Sequence, residues 1–366
     1  MKYVCNICSA EYPVDTLRYR CQCGGLFSLE YEKKEDMDFS VSARSLWRFS
    51  SMLPPLSKDV IDKVTMQEGG TPLISLGENL EGKAEYFMPT LSFKDRGAAV
   101  LVSLMSQIGI SHCAVDSSGN AGTSVAAYCA RAGIGCDVFV PSRTSDKKIC
   151  QIKAHGACVH EVEGSREFTT QKTIEFVESN QVFYASHIFN PFFYEGTKTY
   201  IYELYESYGK SLPDIIILPV GNGTLFLGAS IALEEMLHRD MIDSIPLIVA
   251  VQAENCAPVA HAHLHDLTHV EKIETCDTAA EGIASALPLR GDQILAHLRK
   301  NGGIVVTVSE QQIVEAHKAL AMMGLFVEIT SAANYAGYLK LISLREEYGN
   351  RKAVIPLCGA GLKSVH

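Results

Sequence analysis

The sequence predicts an α/β protein with two domains built on parallel sheets, preceded by a small module that resembles a zinc ribbon. Two observations carry this prediction. From residue 60 onward, short apolar runs alternate with amphipathic segments, a pattern typical of parallel strands joined by helices. Before that point, two cysteine pairs stand close together. With 366 residues, 47% of them hydrophobic and 20% charged, the chain is long enough for two packed domains.

The first element is the N-terminal module, which we place at residues 1–35. The segments CNIC and CQCGG put Cys5, Cys8, Cys21 and Cys23 in two pairs that suit tetrahedral Zn²⁺. A segment this short has little core of its own, so metal ligation would be a source of its stability. The second pair is Cys-x-Cys rather than the commoner Cys-x-x-Cys, which leaves a degenerate, empty site as the alternative.

The strands and helices of the two larger domains follow from the alternating pattern. Apolar runs predict strands over 112–116, 136–140, 157–162, 214–220, 246–252, 304–308 and 353–357. Amphipathic segments predict helices over 120–132, 146–155, 168–179, 224–237, 310–323 and 331–347. We place a small α/β domain at 99–194 and a large one at 36–98 together with 195–366.

Charge and composition exclude several classes of partner. The 32 Lys and Arg against 42 Asp and Glu give a net charge of −10, which disfavours nucleic acid and anionic membranes. The N-terminus lacks the apolar run of a signal peptide, and no long uncharged apolar stretch follows, so we expect a cytosolic protein with reduced thiols. Cys113, Cys129, Cys136 and Cys158 are then expected to be small hydrophobic core residues. The HAHLH segment at 261–265 predicts a solvated surface.

In open α/β sheets, ligands bind beyond the carboxyl ends of the strands, so the loops after each strand are candidates. Ser117-Ser118-Gly119-Asn120 follows the first of these strands and precedes a helix. N–H groups and hydroxyls there would bind a carboxylate, although Ser-Gly-Asn is also ordinary turn and N-cap chemistry.

A second loop, Gly221-Asn222-Gly223-Thr224, follows the strand at 214–220. Glycines at two positions allow backbone N–H groups to turn inward around a phosphate. The loop lacks the Lys-Ser/Thr pair of a Walker motif and the third glycine of Gly-x-Gly-x-x-Gly, so a nucleotide triphosphate is disfavoured.

The third feature is Lys94, which lies at the start of a predicted helix in the segment PTLSFKDRG. Desolvation and the positive end of a helix favour a neutral, nucleophilic amine. A lone lysine at such a place would indicate only a surface residue. Together with two anion-binding loops, it predicts a reactive amine.

These motifs resemble a known family. The segment PTLSFKDRG, the Ser-Ser-Gly-Asn loop and the Gly-Asn-Gly loop, in this order, look like fold-type II enzymes that use pyridoxal 5′-phosphate, the tryptophan synthase β superfamily. The cysteine module, the segment EGGTPL at 68–73 and the segment GAGLK at 359–363 resemble threonine synthase in particular. The resemblance covers essentially the whole chain and implies the fold-type II α/β architecture.

The resemblance also implies roles for individual residues. Lys94 would hold the cofactor covalently, and Asn120 would hydrogen-bond its phenolic oxygen. The cofactor phosphate would be held by Gly221, Asn222, Gly223 and Thr224. The substrate carboxylate would be bound by Ser117, Ser118 and Gly119. Cys358 would lie beside the pyridine nitrogen, where a thiol leaves that nitrogen largely unprotonated and favours elimination and replacement over transamination.

The sequence departs from threonine synthase where that enzyme binds the distal phosphate of O-phosphohomoserine. Such a dianion calls for Arg and several hydroxyl or amide donors. Here Ala121 replaces a Thr, His187-Ile188 replaces Asn-Ser, and Phe193 replaces the Arg of the family pattern. A distal group of lower charge is therefore expected, although a nearby cation or a protonated His187 would offer a substitute.

Two further departures lie beside Lys94. Met88 replaces the usual Asn, and Leu91 replaces Gly, so the neighbouring pocket is expected to be reshaped and more apolar. The segment AEGIA at 280–284 resembles that of dehydratases, with Glu281 either facing the cofactor or solvating a loop.

We therefore predict a threonine-synthase-like lyase that removes the α-proton of an amino acid and expels a β- or γ-substituent. A serine/threonine dehydratase or a β-replacement synthase is the alternative, and a PLP-binding protein without turnover is a third. The resemblance implies a homodimer.

Overall fold

The computed structural model describes residues 1–32 and 44–363. Its strands are β1 (Lys2–Cys5), β2 (Glu11–Pro13), β3 (Phe27–Glu30), β4 (Leu73–Ser75), β5 (Leu80–Lys83), β6 (His112–Val115), β7 (Gly135–Pro141), β8 (Cys158–Val162), β9 (Phe183–Tyr184), β10 (Ile215–Pro219), β11 (Leu247–Ala253), β12 (Ile304–Val308) and β13 (Ala353–Pro356). Its α-helices are α1 (Lys58–Val64), α2 (Lys94–Gln107), α3 (Asn120–Ala132), α4 (Asp146–Ala154), α5 (Arg166–Asn180), α6 (Pro191–Thr197), α7 (Thr199–Ser207), α8 (Thr224–His238), α9 (Pro258–Leu264), α10 (Gly291–Lys300), α11 (Glu310–Met322) and α12 (Ile329–Leu344).

The predicted α/β class and all the strands and helices predicted from the alternating pattern are confirmed, with ends displaced by a few residues at most. The pattern does not predict the strands β4 and β5, because neither is a run of apolar residues. β5 contains Lys83, which is buried and forms an ion pair of 3.0 Å with Glu203. A charged side chain can lie inside a strand when a distant segment supplies its counter-charge.

Contacts divide the chain into two units. The first is Met1–Gly70 with Met88–Thr197, and the second is Thr71–Phe87 with the residues from Lys198 onward. The predicted domains assign residues 44–70, 88–98 and 195–197 differently, and their boundary at residue 35 lies outside the described residues. They stay a prediction, since compactness does not test which residues share a cofactor-binding domain.

The first unit contains two sheets. The antiparallel one has the order β2-β1-β3, and the parallel one has the order β8-β7-β6-β9. The N-terminal module does not pack by itself: Tyr3 and Phe27 lie in the same apolar cluster as α2, α3 and the parallel sheet. The ring of Tyr3 also contacts that of Phe192 edge-on, at 6.1 Å between centroids. The module therefore shares its core with the rest of the unit.

Helices α2 and α6 of this unit approach each other through two glycines. A Cβ added at Gly196 would lie 2.0 Å from the carbonyl oxygen of Arg96, and one added at Gly97 would lie 2.3 Å from the ring of Phe193. The close approach therefore excludes any side chain at either position. It places the Phe193 ring over α2 one turn beyond Lys94.

The second unit contains a six-stranded sheet in the order β12-β11-β10-β13-β5-β4. All neighbours are parallel except β4, which runs antiparallel to β5. Its central strands are fully buried, as expected when helices cover both faces of a parallel sheet. Helix α12 contributes Ala332, Ala333 and Ala336 to the apolar core beside these strands.

Two predictions about the scattered residues have different outcomes. Cys113, Cys129 and Cys136 are buried, as predicted, but Cys158 is exposed, so its interpretation as core filler is wrong. It begins β8, an edge strand of its sheet in which no residue is fully buried. The HAHLH segment lies in and just after α9; His261 and His265 are exposed, and only His263 is half-buried.

Among the residues that the structure describes, no helix combines the length and apolar character needed to cross a bilayer.

Candidate cofactor and substrate site

Lys94 is the first residue of α2 and is half-buried. Its amine lies over two aromatic rings, 4.7 Å from the centroid of Phe93 and 5.6 Å from that of Phe193. Two residues earlier, the hydroxyl of Ser92 is buried and has no hydrogen-bond partner within the described chain. The amine is thus held against apolar surface, and the segment before it carries a buried hydroxyl that a ligand would satisfy.

Asp95 positions this turn, and sequence reasoning did not single it out. Its buried carboxylate accepts hydrogen bonds from the backbone N–H of Thr90, at 2.6 Å, and from the hydroxyls of Thr90 and Ser124. It therefore ties the segment before Lys94 to helix α3. The acidic residue next to the lysine within PTLSFKDRG is the signal that could have identified it.

The segment before Lys94 also carries backbone strain. Leu91, which stands where the family pattern has Gly, adopts a positive φ of 63°. That conformation costs a residue with a Cβ roughly 1–2 kcal/mol. The chain therefore keeps the turn that glycine makes easily, and places an exposed Leu side chain there. Met88, at the start of the same segment, is buried, and its sulfur accepts the N–H of Gly69 at 3.2 Å.

The Ser117–Asn120 loop lies between β6 and α3, as predicted, at the carboxyl end of the strand. A Cβ at Gly122 would come 1.8 Å from the carbonyl oxygen of Ser117, so glycine there permits a tight entry into the helix. A Cβ at Gly119 would meet nothing within 4 Å, which leaves open space beside the loop backbone. Ser117 is buried, and Ser118, Gly119 and Asn120 are half-buried.

Asp116 precedes this loop, and sequence reasoning did not recognise it as a separate feature. It is buried and accepts hydrogen bonds from Thr170, at 2.6 Å, and from Tyr184, at 2.7 Å. Burial raises the pKa of its carboxyl, while these two hydrogen bonds act in the opposite direction. The residue anchors the base of the loop to α5 and β9.

His187 and Phe193 lie together near Lys94. Their ring centroids are 5.8 Å apart, and both side chains are buried. The Nδ1 atom of His187 is buried and has no hydrogen-bond partner among the described residues. Burial, followed by the positive charges of Lys94 and of Arg166 at the start of α5, lowers the pKa of the imidazole well below its usual range. This lowered pKa argues against the hypothesis that a protonated His187 partly replaces the missing phosphate clamp below about pH 6.5, which stays a prediction.

In the second unit, the Gly221–Thr224 loop joins β10 to α8, as predicted. Gly223 has a positive φ of 72°, and a Cβ at Gly221 would come 2.8 Å from the Cα of Ile283. The hydroxyl of Ser285 donates to the side-chain oxygen of Asn222 at 3.1 Å. The segment at 282–285 therefore packs against this loop and shapes it. From the sequence, this part of the chain was notable only because it resembles the corresponding segment of dehydratases. Glu281, next to it, is exposed.

Cys358 is fully buried just beyond the carboxyl end of β13. Its sulfur lies 3.7 Å from the carbonyl oxygen of Pro356 and 3.8 Å from the Asn334 amide nitrogen. The other amide atom of Asn334, Oδ1, is buried without a hydrogen-bond partner in the described chain. Asn334, from α12, is thus a polar neighbour that sequence reasoning missed.

The four N-terminal cysteines converge as predicted. Their four sulfur atoms all lie within 4.8 Å of one another, in Cys5, Cys8, Cys21 and Cys23. The Cys5–Cys23 and Cys8–Cys21 sulfur pairs are each 3.5 Å apart. A hydrogen bond with the Tyr12 hydroxyl lowers the pKa of Cys21. The Cys-x-Cys half therefore joins the cluster despite its shorter spacing.

Comparisons with known proteins agree with this geometry. The family described as "Pyridoxal-phosphate dependent enzyme" matches residues 64–359. The threonine synthase of Methanocaldococcus jannaschii is 32% identical over 98% of this chain and 92% of its own length. The threonine synthase of Methanosarcina acetivorans is 32% identical over 93% of this chain and 86% of its own length.

Solved structures show the same fold. Maize serine racemase superimposes with a TM-score of 0.70 at 21% identity, covering 83% of this chain and 95% of that one. The processed form of threonine deaminase isoform 2 from Solanum lycopersicum superimposes with a TM-score of 0.67 at 23% identity. The match covers 84% of this chain and 79% of that one.

The polar groups of each unit suit the cofactor of this family. In the first unit, the orphaned atoms of Ser92 and His187 and the open space at Gly119 fit a bound pyridoxal phosphate and its substrate. In the second, the orphaned Oδ1 of Asn334 beside Cys358 is a buried polar atom of the kind that a bound cofactor would satisfy. The chain belongs to the pyridoxal-phosphate-dependent enzyme family, with threonine-synthase-like relatives.

Proposed function

We propose that this enzyme eliminates or replaces a small or uncharged β- or γ-substituent of an amino acid. The observation that carries the proposal is the buried pair His187 and Phe193, which lies near Lys94 and offers a neutral imidazole and an aromatic face. An uncharged distal group would pack on Phe193 and hydrogen-bond Nδ1 of His187. A phosphate dianion would find neither a cation nor a cluster of donors in these two side chains, and Arg166, whose charge acts on His187, would have to supply the cation.

The residues are proposed to divide the work as follows. The bound cofactor supplies the electron sink that makes the α-proton acidic. The amine of Lys94, in addition to holding the cofactor, accepts the α-proton and can return it. Asp95 keeps Lys94 in place through Thr90 and Ser124.

The remaining contacts are assigned from the motifs. Ser117, Ser118 and Gly119 hold the substrate carboxylate, and Ala121 leaves the pocket for the distal group without the hydroxyl of the family pattern. The cofactor is held by Asn120, Gly221, Asn222, Gly223, Thr224 and Cys358. Because Cys358 offers the pyridine nitrogen a thiol rather than a carboxylate, elimination and replacement are favoured over transamination.

We expect O-phosphohomoserine to be a poor substrate. Two missing charge-assisted hydrogen bonds, at roughly 1.5–3 kcal/mol each, should lower its kcat/KM at least about a hundredfold below that of the best uncharged amino acid. Kinetics with O-phosphohomoserine, serine, threonine and O-acyl derivatives, following release of phosphate, ammonia and product, measures the ratio. Lowering the pH to about 6 should not restore activity with O-phosphohomoserine, because burial lowers the pKa of His187 well below its usual range.

A matched variant tests the pocket itself. His187→Asn combined with Ile188→Ser restores the family residues while leaving Phe193 packed on Gly97. It should shift the ratio of kcat/KM values toward O-phosphohomoserine. Efficient threonine formation by the unmodified enzyme at neutral pH would contradict the proposal and leave a plain threonine synthase as the better description.

We further propose that Cys5, Cys8, Cys21 and Cys23 bind one structural Zn²⁺. Replacing Cys21 and Cys23 by Ser should remove about one equivalent of zinc by elemental analysis and lower the unfolding temperature, because a structural zinc contributes directly to folding. The same change at Cys150 and Cys276, which are both exposed, is the control. An unchanged zinc content would contradict this assignment.

A homodimer and a cytosolic location also stay predictions from the sequence.

A further inference from the structure

The amino edge of the parallel sheet in the first unit carries four side chains with metal-binding atoms. His112 begins β6, Asp137 lies in β7, and Cys158 and His160 lie in β8. The register pairs Asp137 with Cys158. Because side chains alternate along a strand, Cys158 and His160 project from the same face.

The donor atoms of three of these side chains are clustered. One ligand atom each from Asp137, Cys158 and His160 lies within 4.8 Å of the other two. Asp137 Oδ1 is 2.5 Å from Nε2 of His160, and the other oxygen, Oδ2, contacts Nε2 of His112. Tetrahedral Zn²⁺ with bonds of about 2.0–2.3 Å holds its ligand atoms about 3.3–3.8 Å apart. Small rotations of the side chains would therefore complete such a geometry.

The surrounding structure holds these groups in place. The His160 ring stacks on Phe139 with 4.4 Å between centroids, which orients its Nε2 toward the carboxylate. A Cβ at Gly135 would lie 2.3 Å from Nδ1 of His112, so glycine leaves room for that imidazole. Asp137 is only 6% exposed, whereas Cys158 is exposed to solvent. The cluster is thus built on hydrogen-bonded neighbouring strands and reaches solvent at Cys158.

We propose that Asp137, Cys158 and His160 form a second zinc site, with His112 holding the other oxygen of Asp137. A thiolate, an imidazole and a carboxylate favour Zn²⁺ over Mg²⁺ and Ca²⁺, which prefer oxygen ligands alone. On binding, Cys158 loses its proton to solvent, and water occupies the fourth position. The site lies where β6, β7 and β8 begin, whereas the Ser117 loop follows the end of β6. Zinc there would link β7 to β8 and take no part in the reaction.

The exposed cysteines of the full-length protein provide a residue-specific test. After metal removal, the protein is alkylated with iodoacetamide with and without added Zn²⁺, and each cysteine is quantified by peptide mass spectrometry. Zinc should slow the alkylation of Cys158 roughly tenfold or more, because a metal-bound thiolate is a poor nucleophile. Cys150 and Cys276, exposed and outside the cluster, are the internal controls and should react at unchanged rates.

Two histidine variants test whether the protection of Cys158 comes from this site. His160→Gln should abolish the protection of Cys158 and lower the zinc content by one equivalent, with the far-ultraviolet circular dichroism spectrum unchanged. His269→Gln removes an imidazole from a comparable exposed pair with Asp292 and should change neither readout. Equal slowing of all three cysteines, no slowing of Cys158, or undiminished protection in His160→Gln would overturn the proposal. None of these readouts depends on the identity of the amino-acid substrate.

Discussion

Replacing Lys94 by Ala is expected to remove the covalently held cofactor and nearly all activity. The amine is the first side chain of α2, lies over Phe93 and Phe193, and is held there through Asp95. Loss of the base alone should lower kcat by roughly 10²–10⁴, and loss of the covalent attachment adds to this. Borohydride reduction followed by peptide mass spectrometry should label Lys94 in the unmodified protein and no lysine in the variant.

The matched control is Lys58→Ala, since Lys58 is also the first residue of a helix but is exposed and paired with Asp62. It should retain the label and the activity of the unmodified enzyme. Labelling of any other lysine, or a Lys94→Ala variant with undiminished turnover, would show that the reactive amine lies elsewhere.

Replacing Glu68 by Ala is expected to have the largest effect on stability. Its carboxylate is fully buried and accepts four kinds of donor: Trp47 Nε1 at 2.8 Å, the Met66 N–H at 2.8 Å, the Tyr128 hydroxyl at 2.9 Å and the Thr65 hydroxyl at 3.0 Å. Removing it leaves several buried donors without an acceptor, at a cost of about 3–5 kcal/mol. Trp47 is the only tryptophan of the chain, so its fluorescence during urea unfolding reports directly on this network.

Two variants sharpen this measurement. Glu68→Gln keeps one oxygen acceptor and the side-chain volume, and should fall between the unmodified protein and Glu68→Ala. Glu163→Ala removes an exposed carboxylate from the same unit and should leave the free energy of unfolding nearly unchanged. If Glu68→Ala unfolds at the same urea concentration as Glu163→Ala, the network contributes little and the argument from burial is wrong.

Three departures from the family pattern show how far local sequence is informative. Leu91 stands in place of a glycine. Its positive φ shows that the backbone keeps the turn that glycine makes in the family pattern. Phe193 predicts a change of pocket chemistry, and it is also the side chain that fills the space over Gly97. The interpretation of His187 as a cation depends on its exposure. Burial decides the protonation state of an imidazole, and burial cannot be derived from the residue type alone.

The sequence by itself determined the α/β class, the positions of the strands and helices predicted from pattern, the convergence of the four N-terminal cysteines, and the family. These depend on hydrophobic period, turn chemistry and short motifs, all of which act over a few residues. Only the tertiary structure decided the order of the strands, the networks of Glu68 and Asp95, the exposure of Cys158 and its meeting with Asp137 and His160. Glu68 and Tyr128 are 60 residues apart, and Asp137 and His160 are 23 apart. Contacts of that kind are set by how strands and helices pack against one another, and no local period of the sequence encodes them.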